Sequence, residues 1–173
     1  MGRTVLVIGG GGREHALCLA LSESDSIQAI HTSPGNAGTQ HFGTNHDVAA
    51  SDIDGLIELS VRLDVDFVVV GPEAPLCDGL ADKLIGQGIP CFGPQQVHAE
   101  LEGSKLFAKR AMDAAGVPTA EYDVLDASSG IEARLDARAH EPWVIKRDVL
   151  AGGKGVVVTT VREEARAFIE ESI

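Results

Sequence analysis

Aromatic residues are scarce: Phe, Trp and Tyr make up 4% of the 173 residues. That argues against a protein that works by stacking side chains on nucleobases or sugar rings. Positive charge is short as well. Fourteen Lys and Arg face 26 Asp and Glu, giving a formal net charge of −12 at pH 7. A field of that sign repels nucleic acid and anionic membrane surfaces, so neither is an expected partner. Backbone N–H groups can still bind a phosphate locally. Among the basic residues Arg outnumbers Lys nine to five, a balance that would suit a salt-rich cytoplasm. Cysteine is limited to Cys18, Cys77 and Cys91, with no CxxC spacing. Small buried hydrophobes in a reducing compartment are expected from that pattern. No apolar run reaches the length of a membrane span. The N-terminus enters a strand pattern directly, without a signal-peptide pattern. A cytoplasmic protein is therefore expected. The six His lack metal-ligand spacing, and no metal site is expected within these residues. No G-x-S-x-G elbow or Cys–His nucleophile pair is apparent.

What is present is core. Hydrophobic residues reach 44%, enough to bury a sizeable interior. Residues 4–8 are a continuous apolar run closed by four glycines, which predicts a buried parallel strand. A helix is predicted over 13–21, then a short strand over 29–32 ending at the loop signal Ser33-Pro34-Gly35-Asn36. Ser51 or Asp52 can cap a helix whose inward stripe is Ile53, Leu56, Ile57, Ser60 and Val61. A strand over 67–70 stops at Gly71-Pro72. A second helical stripe follows at Cys77, Leu80, Ala81, Leu84 and Ile85, ended by Gly88. A strand over 90–92 closes at Gly93-Pro94. This alternation predicts an α/β domain with a parallel sheet and helices on both faces. Its Gly- and Pro-rich turns fall at the carboxyl ends of the strands, where open α/β sheets bind ligands.

The pattern changes after about residue 100. A helix over 104–115 stops at Gly116-Val117-Pro118. A strand over 121–125 and a helix over 128–139 are predicted next. Strands over 143–146 and 156–160 flank a glycine-rich connection. A helix from 163 to the end would turn Ala165, Phe168 and Ile169 inward. This second region reads as α+β, and no internal repeat is visible.

Four motifs carry chemistry. In Gly9-Gly10-Gly11-Gly12-Arg13-Glu14-His15 the backbone can approach an anion at a helix N-terminus. The dinucleotide fingerprint fails, because its third glycine would be Glu14 or His15. Arg13 can bind phosphate bidentately, and His15 adds a donor. In Gly71-Pro72-Glu73-Ala74-Pro75-Leu76 two prolines hold Glu73 at the ligand edge, where it is either a ligand for an amine or hydroxyl or simply an acidic residue near a helix start. Leu101-Glu102-Gly103-Ser104-Lys105 fails the P-loop pattern. Lys146 lies in a mostly apolar strand and so needs a polar partner or an exposed edge. After it, Leu150-Ala151-Gly152-Gly153-Lys154-Gly155 lacks the Ser/Thr of a Walker loop. It offers a glycine loop with a lysine able to cover phosphates, or a plain hairpin connection.

Taken in order, VLVIGGGGREHAL, SPGNAGT, VVVGPEAPL, CFGP, LEGSKLFAK, GVPTAEY and LAGGKGVVV resemble the phosphoribosylamine–glycine ligases, ATP-grasp enzymes of purine synthesis, over almost the whole chain. The resemblance implies a Rossmann-like pre-ATP-grasp domain over 1–102 and the incomplete start of an ATP-grasp domain over 103–173, including its small lid with the glycine loop. It implies ATP-dependent ligation of glycine to 5-phosphoribosylamine through a glycyl phosphate, giving glycinamide ribonucleotide, ADP and phosphate. Gly10, Gly11, Gly12, Arg13, Glu14, His15, Pro34, Gly35, Asn36, Gly38 and Glu73 would face phosphoribosylamine. Lys105, Lys146, Gly152, Gly153, Lys154 and Gly155 would contact ATP. No catalytic residue is assigned within this portion. The Mg²⁺ ligands and the nucleotide-base contacts are expected beyond residue 173, the chain alone is expected to be inactive, and the complete enzyme is expected to be a monomer. Arg147 and Val149 stand where the family has small residues or glycine, which predicts a stiffer loop. The alternative is a non-catalytic phosphosugar- or nucleotide-binding module, or one half of a split ATP-grasp protein. A sister ATP-grasp carboxylase should carry its own N-domain motif instead of GGREH and GPEAPL.

Overall fold

The apolar run near the N-terminus becomes β1 (Arg3–Gly9), in which Val5, Leu6, Val7 and Ile8 are fully buried. Burial on both faces is what a central parallel strand requires. The structure, a computed structural model, describes residues 2–139, 142–150 and 155–173. It divides into two compact units, 1–100 and 101–173.

In the first unit β1 is followed by α1 (Gly12–Ser22), β2 (Ile27–Pro34), a 3-10 turn at Thr39–His41, and β3 (Thr44–Asn45). Then come α2 (Ile53–Arg62), β4 (Phe67–Val70), α3 (Ala74–Cys77), α4 (Leu80–Gly86) and β5 (Cys91–Phe92). All pairings are parallel, in the order β3-β2-β1-β4-β5. The chain winds outward from β1 to β3, then returns to the other side of β1 as β4. That reversal is a topological switch point, where open α/β sheets leave a ligand crevice.

Alternation along β1 feeds two cores. Leu6 and Ile8 pack with Val68 and Val70, with Leu56 and Leu59 of α2 and with Leu80 and Leu84 of α4. Val5 and Val7 pack with Ile30, Val69 and Cys18 of α1. Period-two side-chain direction in a strand produces this division. Of the three cysteines expected to be buried, Cys18 is, while Cys77 and Cys91 are half-buried; desolvation raises the thiol pKa of Cys18 and that of Cys91 to about 11.

Several local expectations change. β2 runs on through Ser33 and Pro34, where a loop was expected, across a cis Ser33–Pro34 bond. Asp52 caps α2 by accepting the Gly55 N–H at 3.0 Å, but Leu59 joins the buried stripe and Val61 is 58% exposed. The second stripe breaks into α3 and α4 at Gly79, which has φ +84°, and Ile85 lies outside the core.

α5 (Gln96–Gly103) precedes the second unit's α6 (Lys105–Ala115), α7 (Ile131–Ala137), β6 (Trp143–Lys146), β7 (Val156–Thr159) and α8 (Arg162–Ser172). β6 and β7 pair antiparallel. Leu135 of α7 with Ala165 and Ile169 of α8 forms a small core, against which Trp143 and Ile145 pack. Residues 121–125 form no strand. Asp123 is taken instead by Arg134 of α7 and by Arg138 at its C-cap, whose guanidinium groups hold its carboxyl below the usual range, the Arg138 bond foremost. α7 starts later than expected because Asp126 accepts the Ser128 N–H and both Ser128 and Ser129 hydroxyls, closing a turn first. No helix among the described residues is long and apolar enough to cross a membrane.

Candidate functional site

The β1–α1 turn, the β2 end and the β4 end meet at the switch point. Gly11 is the N-cap of α1, and the first helical N–H groups that follow it have no backbone acceptor. They put a partial positive charge at this end of α1. Arg13 is exposed and donates one guanidinium N–H to the Gly71 carbonyl, spanning from α1 to the end of β4. Glu14 turns inward and is only 5% exposed. Its Oε2 accepts the Gly11 N–H at 2.5 Å. A Cβ on Gly9 or on Gly71 would run into this carboxylate, so both glycines make room for it.

The second loop closes on the first. Gly35, at φ +73°, donates its N–H to Gly9 O at 3.1 Å. Gly10 has no space for a side chain, because a Cβ there would lie 2.7 Å from Gly35 O and 3.6 Å from Pro34. Asn36 Nδ2 donates to Gly10 O at 3.0 Å and to Gly11 O at 3.1 Å. Its Oδ1 accepts the Gly38 and Thr39 N–H groups at 2.7 and 3.0 Å. The His15 ring lies over Gly38 and against Phe42, with ring centroids 5.6 Å apart. Glu73 is exposed at the N-cap of α3; its carbonyl accepts the Leu76 and Cys77 N–H groups, and its carboxylate has no hydrogen bond or ion pair among the described residues. The structure thus gathers Gly10, Gly11, Gly12, Arg13, Glu14, His15, Pro34, Gly35, Asn36, Gly38 and Glu73 at one edge of the sheet.

Thr39 and Asn45 belong to this edge and were missed. Thr39 is fully buried, and its Oγ1 accepts the Asn36 N–H at 2.8 Å. Asn45 Nδ2 donates to Asn36 O at 2.8 Å. Thr39 sits within SPGNAGT as a small polar residue after an Asn, a turn signal that was available. Asn45 carries no local signal. Behind it, His31 Nδ1 and His46 Nε2 lie 2.9 Å apart and share one hydrogen bond. Burial lowers the pKa of both, and for His46 the His31 and Arg62 charges act in the same direction.

The second unit holds the other predicted residues. Ser104 caps α6, accepting the Phe107 N–H at 3.0 Å, while its hydroxyl donates to the Asp148 carboxylate. Asp148 Oδ1 also accepts the Leu106 N–H at 3.1 Å. Lys105 Nζ donates to Val149 O at 2.9 Å, so it reaches the connection that follows β6. Lys146 is exposed at the end of β6, on the face away from Trp143 and Ile145. Gly155 is buried, and its carbonyl accepts the Arg147 N–H at 2.8 Å. Gly152, Gly153 and Lys154 lie outside the described residues. Arg147 reaches α8, with Nη2 3.0 Å from Glu171, Nε 3.0 Å from Ser172 Oγ and the guanidinium 5.0 Å from the Phe168 ring centroid. A surface cavity of about 340 Å³ beside Tyr122 and Arg138 contains none of the predicted site residues. Among the described residues, no group of three or more His, Cys, Asp or Glu is placed to hold a metal ion.

The family model for phosphoribosylglycinamide synthetase, N domain, matches residues 3–102, and that for the ATP-grasp (A) domain of the same synthetase matches 103–173. The chain belongs to the phosphoribosylglycinamide synthetase family. Within that family it is 52% identical over 163 residues to phosphoribosylamine–glycine ligase of Streptomyces coelicolor, covering 94% of this chain and 39% of that protein. It is 47% identical over 167 residues to the Mycobacterium tuberculosis ligase, covering 94% of this chain and 40% of the other. The chain thus spans about two fifths of the length of these curated relatives. The crystal structure of the Thermotoga maritima phosphoribosylamine–glycine ligase superposes with a TM-score of 0.72 at 31% identity, over 98% of this chain and 38% of that one. An N5-carboxyaminoimidazole synthetase from Staphylococcus aureus, solved with ADP, gives 0.76 at 17% identity over 99% and 46% of the two chains, which speaks for a shared fold. The parallel α/β sheet followed by the start of an ATP-grasp domain is therefore the synthetase-family arrangement.

Proposed function

We propose that this chain is the first part of an ATP-dependent ligase that joins glycine to 5-phosphoribosylamine. The products are glycinamide ribonucleotide, ADP and phosphate, with a glycyl phosphate as intermediate. One observation carries the reading: in a chain of this family, the glycine turn after β1, the Pro34–Gly38 segment and the end of β4 converge at the switch point. The anion-receiving groups there are the N-terminal amides of α1 and Arg13. Arg13 uses one donor on Gly71 and retains others for a phosphate. Glycines 10–12 let the ligand approach the backbone, Asn36 and His15 wall the crevice, and Glu73 faces solvent ready to accept from an amine or ribose hydroxyl. Glu14 is placed to support the turn from beneath.

In the second unit Lys105 and Lys146 offer two ammonium groups near the connection that ends at Gly155, which suits the phosphates of ATP. ATP supplies the phosphoryl group that activates the glycine carboxylate. The lysines stabilise charge on that group as it transfers. Mg²⁺ with ATP needs carboxylate ligands. We assign that role to no residue of this chain and route no step through the metal. Because the chain spans about two fifths of the length of its relatives, the 173 residues alone should show no glycine-dependent ATP hydrolysis with phosphoribosylamine. Turnover at an ordinary enzyme rate would overturn that part.

The reading is tested by variants of the full-length protein. Arg13→Ala should raise the KM for phosphoribosylamine about tenfold, the usual cost of a lost charge-assisted hydrogen bond, and leave the KM for ATP unchanged. Lys146→Ala should do the reverse. An unchanged phosphoribosylamine KM in Arg13→Ala would return Arg13 to a structural role.

A further inference from the structure

The two glycine-turn carbonyls held by Asn36 determine where the neighbouring N–H groups point. In a trans peptide, the C=O of one residue and the N–H of the next point in opposite directions. Gly10 O is anchored on Asn36, and the Gly11 N–H accordingly points the other way, to Glu14. Gly11 O is anchored on the same Asn36 Nδ2. The Gly12 N–H must then point away from Asn36, at the first turn of α1 where it has no helical acceptor. Asn36 therefore aims a free donor.

Asn36 is itself immobilised from behind. Its Oδ1 takes two backbone N–H groups, which fixes which end of the amide faces the glycine turn. Thr39 Oγ1 accepts the Asn36 N–H, and the single hydroxyl hydrogen goes to Asn36 O or Asn45 Oδ1, each 2.9 Å away. Asn45, on edge strand β3, donates to the Asn36 carbonyl. Every polar atom of Asn36 is thus occupied within the fold, so none needs a ligand to hold it.

We propose that Thr39 and Asn45 are positioning residues: they hold Asn36, and through it aim the Gly12 N–H at a sugar phosphate. This rests on the sugar-phosphate reading of the crevice and adds how its main-chain donor is set.

The test uses the full-length protein carrying this chain and ribose 5-phosphate as the probe. In the free protein, Thr39→Val should shift the Gly12 amide resonance, and Thr39→Ser should restore it. Ribose 5-phosphate affinity should fall about tenfold in Thr39→Val, in line with a lost hydrogen bond to a charged ligand, and recover in Thr39→Ser. Ser60→Ala is the control, because its buried hydroxyl, bonded to Leu56 O, is a comparable loss remote from the crevice. It should lower stability without changing affinity. Asn45→Asp, which keeps size but loses the donor to Asn36, serves as a second variant should Thr39→Val fold poorly, and it should weaken binding too. An unmoved Gly12 amide, or equal affinity in the variants and the unsubstituted chain, would overturn the relay alone. Failure of the unsubstituted chain to bind ribose 5-phosphate, with the Gly12 amide still responding to Thr39→Val, would overturn the sugar-phosphate reading and the relay's purpose with it.

Discussion

Replacing Gly71 with Ala should destabilise the first unit, and removing Glu14 should cancel that effect. The three atoms nearest a Cβ on Gly71 are all from Glu14, with Cδ at 2.7 Å and Cγ at 2.9 Å. Gly71 is not in the left-handed backbone region, so Ala adds no strain of its own there. Forcing a methyl into filled space costs about 1–3 kcal/mol. Glu14→Ala alone deprives the part-buried Gly11 N–H of its acceptor, a loss of about 1–3 kcal/mol. If the two sites were independent, the double variant would lose about 2–6 kcal/mol. The geometry predicts instead that the double variant is no less stable than Glu14→Ala, because the obstructing carboxylate is gone. The coupling should therefore equal the whole Gly71→Ala penalty. Hydrogen exchange at the Val5, Leu6, Val7 and Ile8 amides reports the first unit. Trp143, the single Trp, lies in the second unit, and its fluorescence transition should not move. Strictly additive losses in the double variant would refute the placement of Glu14 beneath Gly71.

Acid should loosen the first unit through the His31–His46 pair. Both folded pKa values lie below the ordinary 6.5, chiefly from burial. The unfolded chain therefore binds more protons just below pH 6.5, and stability present above that pH is lost as pH falls toward the folded values. Urea midpoints at pH 7.5 and 5.5 should show the loss, and His46→Gln should reduce it; an equal loss in His46→Gln would assign it elsewhere. Arg147→Ala should lower the Trp143 transition by about 0.5–2 kcal/mol, combining a half-exposed ion pair with a cation–π contact, and a null effect would mean the α8 contacts contribute nothing. Asp52→Ala should cost the first unit about 1 kcal/mol for a lost helix cap, measured by the same hydrogen exchange, with no change in the second unit.

The sheet was legible wherever burial dominates the sequence. The runs at 4–8 and 67–70 admit little but buried strands, and Asp52 ahead of an apolar stripe marks a helix start. β3 was not legible, because two residues that owe their pairing to His31 and Thr32 leave no periodicity of their own. Gly79 sits inside a continuous helical stripe, and only its left-handed backbone reveals the break. The apparent strand at 121–125 has strand-like residues but no partner strand among the described residues, and the ion pairs of Asp123 hold it otherwise. For the crevice, the glycines and Arg13 announced themselves through residue type. Glu14 looked like one more polar member of the motif, yet tertiary packing turns it inward. Thr39 and Asn45 act at one remove, through Asn36, which no spacing rule captures. Arg147 and Val149 stood out as bulk beside the glycine loop, whereas Asp148 did not. In the fold Arg147 reaches α8 and Asp148 serves α6.

The most direct test of the central claim is ADP release by the full-length protein carrying this chain, measured with ATP, glycine and 5-phosphoribosylamine and with each omitted in turn. Release that requires both glycine and phosphoribosylamine, with one glycinamide ribonucleotide formed per ADP, is the predicted result. ADP release indifferent to glycine, or none with all three present, would contradict the ligase reading and favour a binding module.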